Sequence, residues 1–489
     1  MSTGSNLSAD SSDTDEFGRV EVHGIDYIPP SERHGKPREL FWVWTSVNVN
    51  YLYILLGGLL MVYGLTIWQA LAVVVVGNLF WIPIGVMAVS GPKSGTPSSV
   101  IMRSMFGARG NRINAGLFQW PVFIAYAAIN LSVGALAGFA FLARLDISVS
   151  QPAEILLVLV MAAVTLTISI YGHATIMRMS TVFTALLSVA MVILGGFVLA
   201  HTDWGYSADP AYAPSGGLLW GTMMAGVTLI ASSSLSWGVS PDYARYLPQD
   251  SSKMAVATWT GLGGFIPAVL LGAVGVLAGT AIDMSDPQTN LATILPGWFY
   301  LIFLLTVILG SMTSNVLTMY SSGLYLQAVG IRLRRWVTVL IDGLLGVALA
   351  CYAMFIADFS DTLGNIMQMS VAILAPVVAI YVADLLLRRN RYNGLELHDE
   401  TPSSSFWFTG GYNMAGLVAT IIGTVAAALC LNTTMYVGPV AEQFGGADLS
   451  VVVGPIVAVV LYVGMVKVLY PRHFATSAPA ASPISEFVA

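Results

Sequence analysis

Tyr126 and Asn130 stand four residues apart in an apolar run, so a helix places them on one face. A ring beside a carboxamide offers a planar ligand a stacking surface and a donor–acceptor pair for its edge. The same two side chains would serve equally as a packing ring and an inter-helix hydrogen bond. Further along, Ser311, Ser314, Thr318 and Ser322 recur at helical spacing, with Thr313 and Asn315 beside them. Such a stripe either lets helices approach closely or lines a cavity whose neutral oxygens hold a ligand or a hard cation. Asn48 and Asn50 point apart on a regular helix. Both turn inward only if the helix unwinds there, and otherwise each bonds a neighbouring helix. The run Ser232-Ser233-Ser234-Leu235-Ser236-Trp237-Gly238-Val239-Ser240-Pro241 holds five serines and a proline that disfavours helix at Ser240.

Ionisable residues inside apolar runs are functional candidates by default. Asp242 and Arg245, just after the Pro241 break, are expected to pair with each other as a gate or structural clasp. Asp342 lies seven residues beyond Arg335, about 10 Å along a helix. It is either a proton-linked carboxylate or, as favoured here, the partner of a basic loop residue. Asp384 is expected to snorkel toward the basic end of its span. No HExxH or nucleotide-binding loop occurs. The six histidines fall in arms, loops or span edges, and Cys351 and Cys430 sit in separate apolar runs. An enzyme and a resident metal or cofactor are therefore not expected.

These residues need a scaffold, and the composition says what kind. Of 489 residues, 56% are hydrophobic and 9% charged, where globular domains carry about 25% charge. The chain must face lipid over much of its length. A net charge of −6 argues against nucleic acid as a partner. Twelve segments are long and apolar enough to cross a bilayer: roughly 40–64, 66–90, 113–143, 153–172, 175–200, 218–247, 254–281, 291–327, 334–357, 362–387, 413–435 and 450–470. With that count, 19 of the 20 Lys and Arg fall on one side, Arg144 being the exception. The positive-inside rule then places both termini in the cytoplasm of a cell-membrane protein.

The fold class expected is an all-α integral membrane protein. Polar breaks interrupt span 1 (Thr45 to Asn50) and span 6 (Ser232 to Pro241). Breaks five spans apart suit a five-plus-five inverted repeat plus two C-terminal helices, with the ligand at the interrupted helices. The expected divisions are a mobile cytoplasmic arm 1–39 without a signal peptide, repeats 40–200 and 201–390, spans 11 and 12 in 391–470, and a tail 471–489. A secondary carrier is the expected class.

The order Tyr27-Ile28-Pro29-Pro30-Ser31-Glu32-Arg33-His34, Leu40-Phe41-Trp42-Val43-Trp44 and Ser46-Val47-Asn48-Val49-Asn50 resembles the nucleobase–cation symporters, or purine–cytosine permease family. Gly91-Pro92-Lys93-Ser94-Gly95-Thr96-Pro97, Pro241-Asp242-Tyr243-Ala244-Arg245-Tyr246 and Tyr320-Ser321-Ser322-Gly323-Leu324 are similar too. The resemblance implies a leucine-transporter-type fold and alternating access driven by protons or sodium. It implies a heterocycle held between rings of spans 3 and 6 and read by polar groups of spans 1, 3 and 8. On this chain the span 3 pair falls on Tyr126 and Asn130, with tyrosine in place of the usual tryptophan. The span 8 amide falls on Thr318 and its partner on Ser314. The span 6 ring falls on Ser233, which has none, with Trp237 one turn later. The expected substrate-site set is Ser46, Asn48, Tyr126, Asn130, Ser233, Trp237, Ser314 and Thr318. A sodium site would use Val47, Ser311 and Thr313, although Met312 stands where sodium-coupled relatives usually have a hydroxyl. The resemblance implies cytosine or a purine as substrate; losing a stacking ring and an amide weakens that case and leaves a related heterocycle such as a hydantoin, allantoin or vitamin precursor beside it. A same-fold carrier of amino acids or amines is the alternative, and a non-transporting receptor or intramembrane enzyme the more distant one.

Overall fold

A computed structural model describes residues 24–171, 173–208, 213–330, 335–357 and 359–471. Most of the expected N-terminal arm, nearly all of the tail, and Arg332, Arg334 and Arg472 lie outside the described residues. Among the described residues the chain is helical, and its only β features are the isolated bridges Thr409–Tyr412 and Asn432–Val437. Among the described residues ten helices are long and apolar enough to cross a membrane, and an eleventh span is a bent pair, Glu39–Asn48 with Tyr51–Val62. This pair is span 1. Spans 2 to 10 are Ile67–Ser94, Gly110–Arg144, Gln151–Ser169, Thr184–His201, Gly216–Ala244, Lys253–Ala278, Gly297–Ala328, Val337–Phe355 and Phe359–Leu387, and span 12 is Ser450–Leu469. At the place of span 11 stands the apolar helix Met414–Leu429, 16 residues long. That is short of the roughly 20 a crossing needs, so the count of twelve depends on this helix.

The two expected breaks differ in kind. Span 1 bends by 54°, because Asn50 takes extended backbone angles and its side chain accepts the Leu52 N–H at 3.1 Å. A short polar side chain here replaces the missing helical bond. In span 6 the helix stops at Leu235 and resumes at Ser240. The intervening N–H groups of Trp237, Gly238 and Ser240 bond carbonyls three residues back, at 3.1 Å each. That tightened turn carries the chain across the interruption without a bend above 40°.

Span 3 opens with π-helical turns over Asn114–Gln119, just before Trp120 and Pro121. It packs along span 8. Spans 1 and 7 touch through backbone. A Cβ on Gly57 would stand 2.0 Å from the Gly272 carbonyl oxygen, and one on Gly275 2.0 Å from that of Ile54. Only glycine permits this approach, as membrane helix pairs often require. Asp384 does not snorkel. It is fully buried, paired with Arg388 at 2.9 Å, and accepts hydroxyls from Tyr462 at 2.6 Å, Ser104 at 2.9 Å and Tyr392 at 3.0 Å. Its remaining valences are filled by neighbours that fasten span 12 to span 10, so it has no need to reach water.

Candidate functional site

The bend of span 1, the turn of span 6 and the middles of spans 3, 8 and 10 enclose a cavity of about 20 Å³. That is room for about one water molecule, where ligand clefts run to about 300–1,000 Å³. The walls are therefore drawn together, and a ring-sized ligand enters only if they part. No Asp, Glu, Lys, Arg or His lines the cavity. Of the substrate-site residues expected from sequence, Tyr126, Asn130, Ser233, Trp237, Ser314 and Thr318 line it, as does Val47 from the cation set.

The Tyr126 hydroxyl is already engaged. It donates to the Ser232 carbonyl of span 6 at 2.8 Å and pairs with Ser370 Oγ of span 10 at 3.2 Å. Its ring, not its hydroxyl, is what it offers the cavity. The Asn130 carboxamide makes no hydrogen bond to another described residue, which leaves its donors and acceptor to the cavity. Trp237 is propped edge-on against Trp44, with ring centroids 5.6 Å apart at 72°. Thr318 Oγ1 donates to the Ser314 carbonyl at 3.0 Å within its own helix.

Ser46 and Asn48 are placed elsewhere. Ser46 Oγ donates to the Val43 carbonyl at 2.6 Å and Asn48 Nδ2 to that of Trp44 at 2.6 Å, while Asn48 Oδ1 accepts the Tyr53 hydroxyl. Both side chains stay inside span 1 because the helix persists to Asn48 and unwinds only beyond it. Asn50, one step into the break, lines the cavity instead, together with Tyr53, Phe123, Ser236 and Leu374. Phe123 is one turn before Tyr126 and Tyr53 one turn after Asn50, so helical spacing could have found both. Leu374 carries no signal, being one apolar residue in an apolar span.

Of the cation residues, Val47 lines the cavity and Ser311 and Thr313 lie on span 8. Thr313 Oγ1 donates to the Leu309 carbonyl at 2.9 Å. A Cβ on Gly134 would stand 3.2 Å from the Ser311 Cβ, so Ser311 faces span 3. Gly310 faces the bend, since its own Cβ would lie 3.4 Å from the Val49 carbonyl oxygen.

Asp242 and Arg245 do not pair with each other. Asp242 accepts the Ser98 N–H at 2.7 Å, its hydroxyl at 2.6 Å and the Ser321 hydroxyl at 3.0 Å. Arg245 reaches the Gly24 carbonyl at 2.9 Å and the Tyr320 hydroxyl at 3.1 Å. A five-residue helix, Ser240–Ala244, ends before Arg245 and leaves the two side chains on different neighbours. Around them Arg33 donates to the Pro92 carbonyl at 2.7 Å, and Arg103 pairs with Glu400 at 2.7 Å. These contacts tie the N-terminal segment, span 6 and the loop after span 2 together at the basic end of the molecule. There, outside the spans, burial and the neighbouring Arg103 push His398 down to about 4. Among the described residues no basic side chain meets Asp342, and Trp120 Nε1 donates to its Oδ1 at 2.7 Å; the loop arginines Arg332 and Arg334, expected as partners, lie outside the described residues.

A family model described as permease for cytosine/purines, uracil, thiamine, allantoin matches residues 27–454. The chain is similar to YxlA of Bacillus subtilis (strain 168), provisionally named a purine-cytosine permease, at 25% identity over 92% of this chain and 96% of that one. It is similar to the vitamin B6 transporter TPN1 of Saccharomyces cerevisiae, at 23% identity over 88% of this chain and 84% of the relative. Its fold matches Mhp1, a nucleobase-cation-symport-1 family transporter in a closed conformation with bromovinylhydantoin bound. The TM-score is 0.75 and the identity 16%, over 94% of this chain and 97% of that one.

Proposed function

Because the chain belongs to the family of permeases for cytosine/purines, uracil, thiamine and allantoin, the nucleobase–cation symporters, we propose that it imports cytosine, a purine or a related small heterocycle by alternating access. As a member of that family it is a multi-pass membrane transporter and not an enzyme. The observation that carries the substrate class is the cavity wall: rings and neutral hydrogen-bonding groups with no charged side chain. Such a wall suits a neutral planar ligand, since an unpaired charge would find no partner there. In this reading the Tyr126 ring stacks the heterocycle and Asn130 reads its edge. Ser233, Trp237, Ser314 and Thr318 shape the rest, with Asn50 in the place first assigned to Asn48.

The five-plus-five repeat supplies the motion, spans 1 and 6 moving against spans 3 and 8 around the site. Uptake is driven by a proton or sodium gradient across the cell membrane, with both termini in the cytoplasm. The test is a thermal-shift panel on the purified protein with nucleobases, hydantoins, vitamins and amino acids, each with and without sodium. A bound ligand raises the melting temperature according to its concentration over its dissociation constant. Stabilisation by amino acids alone would overturn the heterocycle reading.

A further inference from the structure

Span 9 carries a carboxyl group that the cavity does not use. Asp342 is fully buried. Its Oδ1 accepts the Trp120 indole N–H at 2.7 Å, while Oδ2 has no partner. Ser322 Oγ, on the neighbouring span 8, is buried next to this carboxyl group, with no aligned hydrogen bond between them. The helices packed against span 9 are spans 3, 4, 8 and 10. Span 8 has no charged residue. Span 3 has Arg112 before its π-helical start and Arg144 at its far end, span 4 has Glu154 at its far end, and span 10 has Asp361 and Asp384. Arg112 pairs with Glu400 and Asp384 with Arg388. Trp120 to Arg144 is about 36 Å at helical rise. The titratable tyrosines of these helices are spoken for or distant: Tyr126 bonds Ser232 and Tyr325 pairs with Ser98. No charged side chain among the described residues thus meets Asp342.

A lone buried anion is a costly state in a membrane protein, and the usual resolution is a partner or a proton. The hydrogen-bond inventory points the same way. A carboxylate only accepts, whereas a carboxylic acid also donates once. A proton on Oδ2, donated to Ser322 Oγ, would satisfy both unpartnered atoms together. Its neighbours connect the protonation state of the carboxyl group to the site. Trp120 is the first residue of the helix that bears Tyr126 and Asn130 and directly follows the π-helical turns Asn114–Gln119. Ser322 lies one turn beyond Thr318 on span 8. Irregular turns of this kind can shift register at little cost and recur at functional sites.

We propose that Asp342 is the residue that carries the coupling proton, binding it on Oδ2 between spans 8 and 9 and passing its state to the cavity through Trp120 and Ser322. The inference rests on the symporter reading above and deepens it by naming the ion and its carrier. Loading makes one O–H bond and the hydrogen bond to Ser322. Release toward the basic end breaks both and leaves an anion held by the Trp120 N–H alone.

The test uses the full-length protein in liposomes with radiolabelled cytosine, comparing wild type with Asp342→Asn. The amide keeps an acceptor for Trp120 and a donor for Ser322, so it imitates the proton-loaded form and preserves packing. One proton per substrate supports at most about tenfold accumulation per unit of imposed pH difference. The wild type should approach this in potassium buffer without sodium. The variant should exchange cytosine between equal pools but fail to accumulate it. Accumulation by the variant equal to wild type would overturn the proposal, as would wild-type accumulation that needs sodium and ignores the pH difference. A substrate-free readout separates this from failure of the heterocycle reading. The infrared difference between wild type and Asp342→Asn should contain a protonated-carboxyl C=O band that disappears as pH rises. Absence of that band at every pH would refute the proton site even if cytosine proves to be the wrong probe. If Asp342→Asn fails to fold, Ser322→Ala serves in its place, and an unchanged carboxyl band frequency there would equally count against the proposal.

Discussion

Replacing Tyr126 by phenylalanine and by alanine separates what its hydroxyl does from what its ring does. The hydroxyl bonds the Ser232 carbonyl and Ser370 Oγ. Both partners have a second bond that survives the change. Ser232 O also accepts the Ser236 N–H at 3.0 Å, and Ser370 Oγ donates to the Met367 carbonyl at 2.7 Å. Tyr126→Phe thus strands no buried polar group, and its stability cost stays near that of an ordinary hydrogen bond, about 0.5–1.5 kcal/mol. Ligand affinity should change by no more than a few-fold, because the hydroxyl is committed to spans 6 and 10. Tyr126→Ala removes the ring face. Burial and stacking of an aromatic ring contribute about 1.5–3 kcal/mol, which weakens binding roughly 10- to 150-fold. Binding to the purified variants, by calorimetry or thermal shift with the ligand identified in the panel, measures both. If Tyr126→Phe loses as much affinity as Tyr126→Ala, the hydroxyl reads the ligand and the assignment of the ring is wrong. If neither changes affinity, Tyr126 is not at the site.

Asn130→Ala should lower ligand affinity by about 1–3 kcal/mol, the cost of leaving ligand polar atoms unmatched in a dry site, and abolish saturable uptake while expression holds. Unchanged uptake would remove Asn130 from the site. Gly275→Ala would drive a methyl group to 2.0 Å from the Ile54 carbonyl oxygen, and the backbone there cannot move as a side chain could. A loss of about 1–3 kcal/mol or more is expected, read as a lower melting temperature and lower yield of monodisperse protein; a normal melting temperature would contradict the contact between spans 1 and 7. His398, pushed down to about 4 from its ordinary 6.5, binds a proton in the unfolded chain before it does in the folded one. Stability should therefore fall as pH drops from about 6.5 toward 4 and level off below. His398→Gln should flatten that part of the melting-temperature profile, and an identical slope in both proteins would refute the assignment.

The elements were legible because their signals are local. Asn48 and Asn50 inside an apolar run marked the bend of span 1, and Pro241 after a run of serines marked the turn of span 6. Each residue there competes with its own backbone for hydrogen bonds, which neighbours in sequence suffice to reveal. Tyr126 and Asn130 share a face by spacing alone. The placement of Asn48 failed by two residues, since sequence shows that a helix breaks but not at which peptide. A separation of three residues points to Asp242 and Arg245 as a pair, yet each finds hydrogen-bond partners far along the chain.

Composition, spacing and the side on which the basic residues fall are properties of the chain alone. They sufficed for a helical membrane protein with interrupted helices and a neutral ring-and-amide pair. Which side chains face one another was settled only by packing. Trp120 and Asp342 are 222 residues apart, and Leu374 reaches the cavity as one apolar residue among many in span 10. The physical reason is that hydropathy and helical period act over a few turns, whereas a buried hydrogen bond is decided by which helices come within reach. In a bilayer, where every span is apolar, many packings satisfy the same local pattern.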